Sequence, residues 1–526
     1  MWDVIVVGAG SSGAPLAARL SEDPARRVLV LEAGRDWRAP EAPPEMRSAN
    51  IMAFMHDPAL QAKWQWPGLN SQRTAAQKPH FYWRGRTMGG SSAVNAQIAI
   101  RGVADAFDEW AEYGCEGWAA EDVLPIFNAI EDDADTGASP GIRQGGPLPV
   151  YRAPSEKWGP IDRGLRDAAL ACGYPWNPDV NDAAREGVSP YPINSRDGAR
   201  ATTHDAYLEP ARSRPNLSIR GEALVDRVLF DGRKVHGVRV RFGDGRWEEI
   251  PTREVVLCAG AVHSPAILMR SGIGEAGALA ALGVPVVAHL PHVGRNLMDH
   301  PIIRATVGLK PEHACLDPAQ RHTNSCVTYT SGLGGGGRRD MILIGFNHRG
   351  LPPGGPGTAP NPVGAVGASV YNAFSRGQVR VTSSDPKANP VVEENMLSDP
   401  RDRLRMRDAV HRLAELSAQS ALSGIAEWIR VGDTPLTPAQ AAALPQAELD
   451  DLLLREAADI QHAAGTCRMT AHEDPRGVVD PDLRVKGVEG LRVADASIMP
   501  ADCRANLHFT CVMIGEALAR RMRAMR

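Results

Sequence analysis

Asp3-Val4-Ile5-Val6-Val7-Gly8-Ala9-Gly10-Ser11-Ser12-Gly13-Ala14-Pro15-Leu16-Ala17-Ala18-Arg19-Leu20 stands almost at the start of the chain. The β-branched run Val4–Val7 predicts a strand buried on both faces, as in a parallel sheet. A glycine-rich turn follows, then a segment whose apolar positions recur at helical spacing. Pro15 fits that helix because it falls in the first turn, where no intrahelical N–H is needed. A second strand is predicted over residues 27–31, ending at Glu32-Ala33-Gly34.

Each glycine has a separate task in such a unit. Gly8 permits the tight turn, Gly10 lets backbone approach a pyrophosphate, and Gly13 lets the helix sit close to the strand. The N–H groups around Ser11 and Ser12 at the helix start can receive negative charge. Glu32 lies 19 residues beyond Gly13, where a carboxylate accepts hydrogen bonds from a ribose diol, with Ala33 beside it. Strand, turn, helix, second strand and acid in register predict a dinucleotide site. They do not separate FAD from NAD; Glu32, where an arginine would be needed, argues only against a 2′-phosphate.

Three later segments decide between them. The first is Arg84-Gly85-Arg86-Thr87-Met88-Gly89-Gly90-Ser91-Ser92-Ala93-Val94-Asn95, followed by Ala96. The second runs from Gly260-Ala261-Val262-His263-Ser264-Pro265 to Gly274. The third begins at His462-Ala463-Ala464-Gly465-Thr466-Cys467-Arg468-Met469, continues through Leu491-Arg492-Val493-Ala494-Asp495, and ends at Asn506. The stripped loop Gly89-Gly90-Ser91-Ser92 suits backbone contact with a large planar or anionic ligand. The apolar run before Ala259-Gly260 and the run before Asp495 read as buried strands, and Asp495 is placed to hydrogen-bond a polyol chain.

Together these segments resemble the glucose–methanol–choline (GMC) oxidoreductase family from Gly8 to Ile514, with Met88 a mild departure from the first signature. The resemblance implies an α/β fold: a Rossmann-like FAD-binding domain with a mostly parallel sheet, plus a substrate domain built on an antiparallel sheet. The first would comprise residues 1–150, 210–300 and 460–526, the second 151–209 and 301–459. It implies FAD contacts at Arg86, Met88, Gly89, Ser92, Asn95, Ala96 and Ala259. Asp495 would face the ribityl and pyrophosphate region, and Val225 the adenine through its backbone.

Hydride removal from an alcohol carbon is easier once the hydroxyl proton has gone, and a neutral imidazole is a suitable base. A second polar group should hold the oxygen. The family uses a His followed about 44 residues later by His or Asn, and His462 and Asn506 stand 44 apart. His462 is therefore the expected general base and Asn506 the partner of the substrate oxygen. Val94 occupies the place where some members carry a histidine bonded to the flavin, which implies non-covalent FAD. Ile460 is expected to pack over the flavin where oxygen would react. His508, in an atypical Leu507-His508-Phe509-Thr510 tract, is an auxiliary candidate that would contact flavin or substrate, or share the role of Asn506. His462, Cys467, Cys503, His508 and Cys511 are zinc-ligand types, but their spacing matches no zinc pattern, so no metal is expected.

Composition narrows the partners. The 526 residues exceed one compact core, predicting two domains. A net charge of −4 suggests neither nucleic acid nor an anionic membrane surface, and only seven of 58 basic residues are lysines. Eight dispersed cysteines are no disulfide scaffold, and neither a secretory leader nor an apolar membrane span is visible, so a cytoplasmic protein is expected. Residues 332–362, crowded with Gly and Pro, read as a mobile surface loop, with a substrate lid as the sharper alternative.

The function implied is oxidation of a primary alcohol to the aldehyde, with oxygen or another electron acceptor. The motif order is most similar to the bacterial branch acting on hydroxymethyl groups of aromatic or heteroaromatic rings, such as pyridoxine or hydroxymethylfurfural. Choline or aliphatic alcohol dehydrogenation is the alternative. A flavin-containing hydroxynitrile lyase is the alternative from another reaction class, and a non-catalytic flavin protein is the third reading.

Overall fold

A computed structural model describes every residue except 49, 52, 53, 56, 134, 136–143, 183, 315–319, 349–361 and 526. The opening unit folds as its sequence requires. β1 (Val4–Val7) enters the glycine turn, α1 (Gly13–Leu20) leaves it, and β2 (Val28–Leu31) pairs parallel to β1 with Val4 opposite Val28. β3 (Leu217–Arg220), β4 (Val255–Leu257) and β5 (Leu491–Val493) complete a five-stranded sheet in the order β3-β2-β1-β4-β5, every pair parallel. Strands drawn from four distant segments thus end on one edge, where ligands bind in open parallel sheets.

Two helices follow strands at that edge. α2 (Gly260–Arg270) succeeds β4 and contains Pro265, which cannot donate to the carbonyl of Ala261. Thr466 Oγ1 donates to that carbonyl at 2.6 Å, so the group freed by the proline is satisfied from another segment. α3 (Leu507–Ala524) begins directly after Asn506 and packs beside α1.

A second, antiparallel sheet carries the other layer. Its order is Ala426–Val431, Pro301–Leu309, Val363–Val370, Met341–Phe346, Ser325–Tyr329 and Gly187–Pro190, with Ala458–Asp459 also paired to Pro301–Leu309. Alternation along each strand sends side chains to two cores. Ile303, Val307 and Leu343 pack under the helix Pro400–Ala418 with Met406, Val410 and Leu413. Ile302, Ile342 and Ile344 join the larger core that also holds the parallel sheet.

The expected loop at 332–362 needs correction. It contains the strand Met341–Phe346, whose first five residues are buried. Gly332, Gly334, Gly335 and Gly337 all have positive φ and form the turn that leads into that strand. The apolar run Met341-Ile342-Leu343-Ile344 buries both its faces, which outweighs the loop-like composition around it. The Pro352-Pro353-Gly354-Gly355-Pro356 part of the expectation lies outside the described residues. Among the described residues, no helix is long and apolar enough to cross a membrane.

Candidate active site

A cavity of about 510 Å³, of the size that takes a small molecule or cofactor, joins the glycine turn to the segments around residues 460 and 506. Its walls include Gly8, Gly10, Ser11, Ser12, Glu32, Ala33, Asn95, Ala96, Val225, Ala259 and Asp495 from the expected cofactor set. Ile460, His462, Asn506 and His508 line the same space.

The turn is as tight as predicted. Gly8 has φ +103°, and a Cβ there would lie 2.4 Å from the Cys258 carbonyl oxygen. A Cβ on Gly13 would lie 2.0 Å from the Gly8 carbonyl oxygen, so helix and strand are as close as glycine allows. At Gly10 the nearest atom to an added Cβ is 3.7 Å away, which leaves its backbone open to a ligand. No side chain caps the first turn of α1 and no acid stands in it.

Both acids of the cofactor set are tied to backbone. Glu32 accepts from the N–H of Ala9 at 3.0 Å and of Gly34 at 2.9 Å, and burial pushes its carboxyl above the usual range despite those bonds. Asp495 accepts from Gly260 N–H at 2.8 Å, Ser264 Oγ at 2.6 Å and Ser497 N–H at 2.8 Å. Asn95 is held by the Arg200 guanidinium, and the Ala96 carbonyl accepts from Arg321.

Five predicted cofactor residues do not reach the cavity wall. Gly13 serves the packing just described. Arg86 lies over the Trp66 ring at 5.1 Å, and Met88 is fully buried. Gly89 turns with φ +82°, and Ser92 Oγ donates to the Gly89 carbonyl at 2.6 Å and receives the Thr203 N–H at 3.1 Å. These residues shape the loop behind Gly90, whose Cβ position would meet Gly10 Cα at 2.7 Å.

His462 and Asn506 come together as the family resemblance implies, with Asn506 Nδ2 3.1 Å from His462 Nε2. The Tyr371 hydroxyl donates to Asn506 Oδ1 at 3.2 Å, which fixes the amide's orientation. His508 is turned elsewhere: its Nδ1 lies 2.9 Å from Ser11 Oγ, against the glycine turn. Burial, then the Arg200 charge, pushes the His508 ring down to about 4. Val94, an apolar residue, also lines the cavity.

Sequence reasoning missed what stands behind His462. Its Nδ1 lies 2.8 Å from Nδ1 of His300, whose Nε2 lies 2.5 Å from Asp502 Oδ2. Asp299 Oδ1 accepts the backbone N–H of both His462, at 2.7 Å, and His300, at 2.8 Å. Local register explains the meeting. Pro301 pairs with Asp459, whereas Met298 pairs with Ala464, so Ile460-Gln461 form a bulge that slides His462 opposite His300. Gln461 takes φ +68° in that bulge. The sequence signal was faint: Asp299-His300, two polar residues between Leu297-Met298 and an apolar strand.

Burial, then His300 and Arg84, holds the His462 imidazolium well below its ordinary range, so the ring is neutral at working pH. Among the described residues, the group of three metal-ligand types within reach of one another is His80, Glu394 and Asp459. Arg73 donates to that Asp459 at 2.5 Å, supplying a positive charge from the protein itself.

Comparison with known proteins agrees with this arrangement. Models of the GMC oxidoreductase family match residues 2–302 and 373–515. The chain is similar to 5-(hydroxymethyl)furfural oxidase of Methylovorus sp. (strain MP688), 35% identical over 99% of this chain and 98% of that one. It is also similar to an oxygen-dependent choline dehydrogenase of Escherichia coli, 35% identical over 98% and 95%. Among solved structures, pyridoxine 4-oxidase from Mesorbium loti superposes with a TM-score of 0.87 at 32% identity, covering 100% of this chain and 99% of the other. From β1 to α3, then, the chain belongs to the GMC oxidoreductase family and is an oxidoreductase acting on alcohols.

Proposed function

We propose that the protein binds FAD non-covalently in this cavity and oxidises a primary alcohol, a hydroxymethyl group on an aromatic or heteroaromatic ring, to the aldehyde. The observation that carries the reading is the 3.1 Å pairing of His462 Nε2 with Asn506 Nδ2 in the cavity that also contains the dinucleotide turn.

The residues present fit FAD. The uncapped start of α1 leaves N–H groups for a pyrophosphate, and Gly10 and Gly260 both present open backbone. Ser11, Ser12, Glu32, Ala33, Val225, Ala259 and Asp495 would hold the cofactor, with Asn95 and Ala96 on the wall beside them. Val94 offers no nucleophile for a covalent link. When bound, FAD supplies the hydride acceptor. His462, neutral because it is buried, accepts the hydroxyl proton at Nε2. Asn506 Nδ2 donates to the same oxygen and holds the carbon in place. Ile460, on the same wall, would pack over the flavin where oxygen would react. The same reading assigns residues 1–150, 210–300 and 460–526 to the cofactor and 151–209 and 301–459 to the substrate.

The walls support a neutral ring over a quaternary ammonium. His322, Ile344, Phe346, His348 and Tyr371 give a largely aromatic and apolar lining. The carboxylates on the wall, Glu32, Asp459 and Asp495, each already accept hydrogen bonds from the protein. The similarity to a choline dehydrogenase keeps choline as the second reading.

Mixing the FAD-loaded protein with primary alcohols in the absence of oxygen tests both readings. Aryl and heteroaryl methanols should bleach the flavin band near about 450 nm faster than choline or aliphatic alcohols do. Faster bleaching by choline would replace the substrate assignment. No bleaching by any alcohol would overturn it, and release of an aldehyde from a cyanohydrin would point to lyase chemistry instead. Repeating the reduced samples with oxygen and with a dye distinguishes oxidase from dehydrogenase.

A further inference from the structure

The hydrogen-bonded chain behind His462 has two fixed ends. At one, the Asp502 carboxylate accepts. Burial alone would raise its pKa, but the facing His300 ring, the bond to it and the backbone N–H groups of Arg504 and Ala373 bring it below the usual range. An ionised Asp502 has no proton to give, so the 2.5 Å contact is a donation from His300 Nε2. The other ring nitrogen of His300, Nδ1, faces His462 Nδ1 across 2.8 Å, a contact that holds a single proton. At the other end Tyr371 turns Asn506 so that its Nδ2 donates to His462 Nε2. Because Nε2 of His462 accepts from Asn506, the proton of its neutral ring is on Nδ1 and is given to His300 Nδ1, which leaves the His462 lone pair on Nε2.

Resting on the assignment of His462 as the base, we propose that His300 and Asp502 are positioning residues: together they fix this tautomer and take over the proton that His462 receives. The alcohol O–H bond breaks and its proton joins Nε2 of His462. The Nδ1–H bond of His462 then breaks, and that proton joins Nδ1 of His300. His462 is again neutral, and the positive charge lies on His300 against the Asp502 carboxylate. No electrons move in this step.

The surroundings explain why a relay is needed. An imidazolium at 462 is disfavoured first by burial and then by the Arg84 charge. Asp459 opposes them, but its carboxylate is already engaged by Arg73, His80 and Gln461. Asp299 is occupied by two backbone N–H groups and the Tyr82 hydroxyl, with Arg84 3.8 Å away. On the far side, Arg376 faces Asp502, while the Arg504 side chain pairs with Glu109. Asp502, reached only through His300, is therefore the counter-ion placed to hold the charge. Tyr371 stacks on the His300 ring at 4.6 Å and keeps both its nitrogens in line.

Asp502→Asn and His300→Gln test the dyad, each purified with FAD. The first reading needs no substrate: a pH titration of the oxidised flavin spectrum, with His462→Ala as the control that lacks the acid-side transition. Removing a carboxylate that favours protonation should move this transition to lower pH by about one pH unit in Asp502→Asn. The second is anaerobic flavin reduction by an aryl methanol. We expect a loss on the order of 100-fold, with a rate that stays level to a lower pH than in the wild type. The double variant should be no slower than His300→Gln, since Asp502 acts only through His300. An unmoved spectral transition, an unchanged pH shape or additive losses would overturn the dyad. If His462→Ala keeps both the transition and the rate, the base assignment falls instead, and the two failures are thereby told apart.

Discussion

At the scale of the residue, the active site is a set of matched donors and acceptors around one imidazole. His462→Ala removes the proton acceptor but leaves the dinucleotide turn untouched. It should keep bound FAD and slow flavin reduction by about 10²–10⁴-fold. Stopped-flow reduction under anaerobic conditions reads this directly, and a near-normal rate would remove His462 from the base role. Asn506→Ala should slow the same step less, because the base survives. Should His508→Ala prove more damaging than Asn506→Ala, the pairing would be wrong, although His508 is engaged with Ser11. The pH dependence has a definite sign. Burial lowers the His462 pKa below its ordinary 6.5, so the reactive neutral ring persists into mild acid. Flavin reduction should therefore be level from neutral pH upward and fall only well below pH 6.5. A rate that halves near pH 7 would contradict it.

At the scale of the element, each functional side chain sits where regular structure ends. Asn506 is the residue before α3, Asp495 follows β5, and His462 follows the bulge at Ile460-Gln461. Such ends are legible when a local pattern marks them, as the strand–glycine–helix unit at Val4–Leu20 does. The bulge was not legible, because no residue in Ala458-Asp459-Ile460-Gln461-His462 demands a positive φ; pairing with two different stretches around His300 imposes it. The proline in α2 makes a similar point. Pro265 leaves the Ala261 carbonyl to Thr466 Oγ1, a partner 205 residues away. Thr466→Val keeps the shape and deletes the donor. It should cost about 1–3 kcal/mol, the penalty of a buried unsatisfied carbonyl. Chemical denaturation with FAD bound measures this, and unchanged stability would mean that another group satisfies Ala261.

At the scale of the whole molecule, one cavity touches segments from Val7 to Cys511, so a cofactor there would tie both ends of the chain together. A ligand that binds only the folded state stabilises it by about 2.7 kcal/mol at a hundredfold excess over Kd. Stripping FAD should thus lower the melting temperature, and adding it back should restore it in a concentration-dependent way. Equal melting of the two forms, followed by scanning fluorimetry, would argue against the cavity as the cofactor site. The sequence by itself determined the parallel strand–turn–helix unit, which is written in short-range steric requirements, and its resemblance to the GMC motifs implied the family and the His462–Asn506 pair. The strand Met341–Phe346 within a glycine-rich stretch, the turning of His508 to Ser11, and the His300–Asp502 pair behind the base were decided only by tertiary structure. Burial on both faces and hydrogen bonds between residues 162, 202 and 497 positions apart fix them. Contacts at that distance leave no period or spacing in the chain to be read.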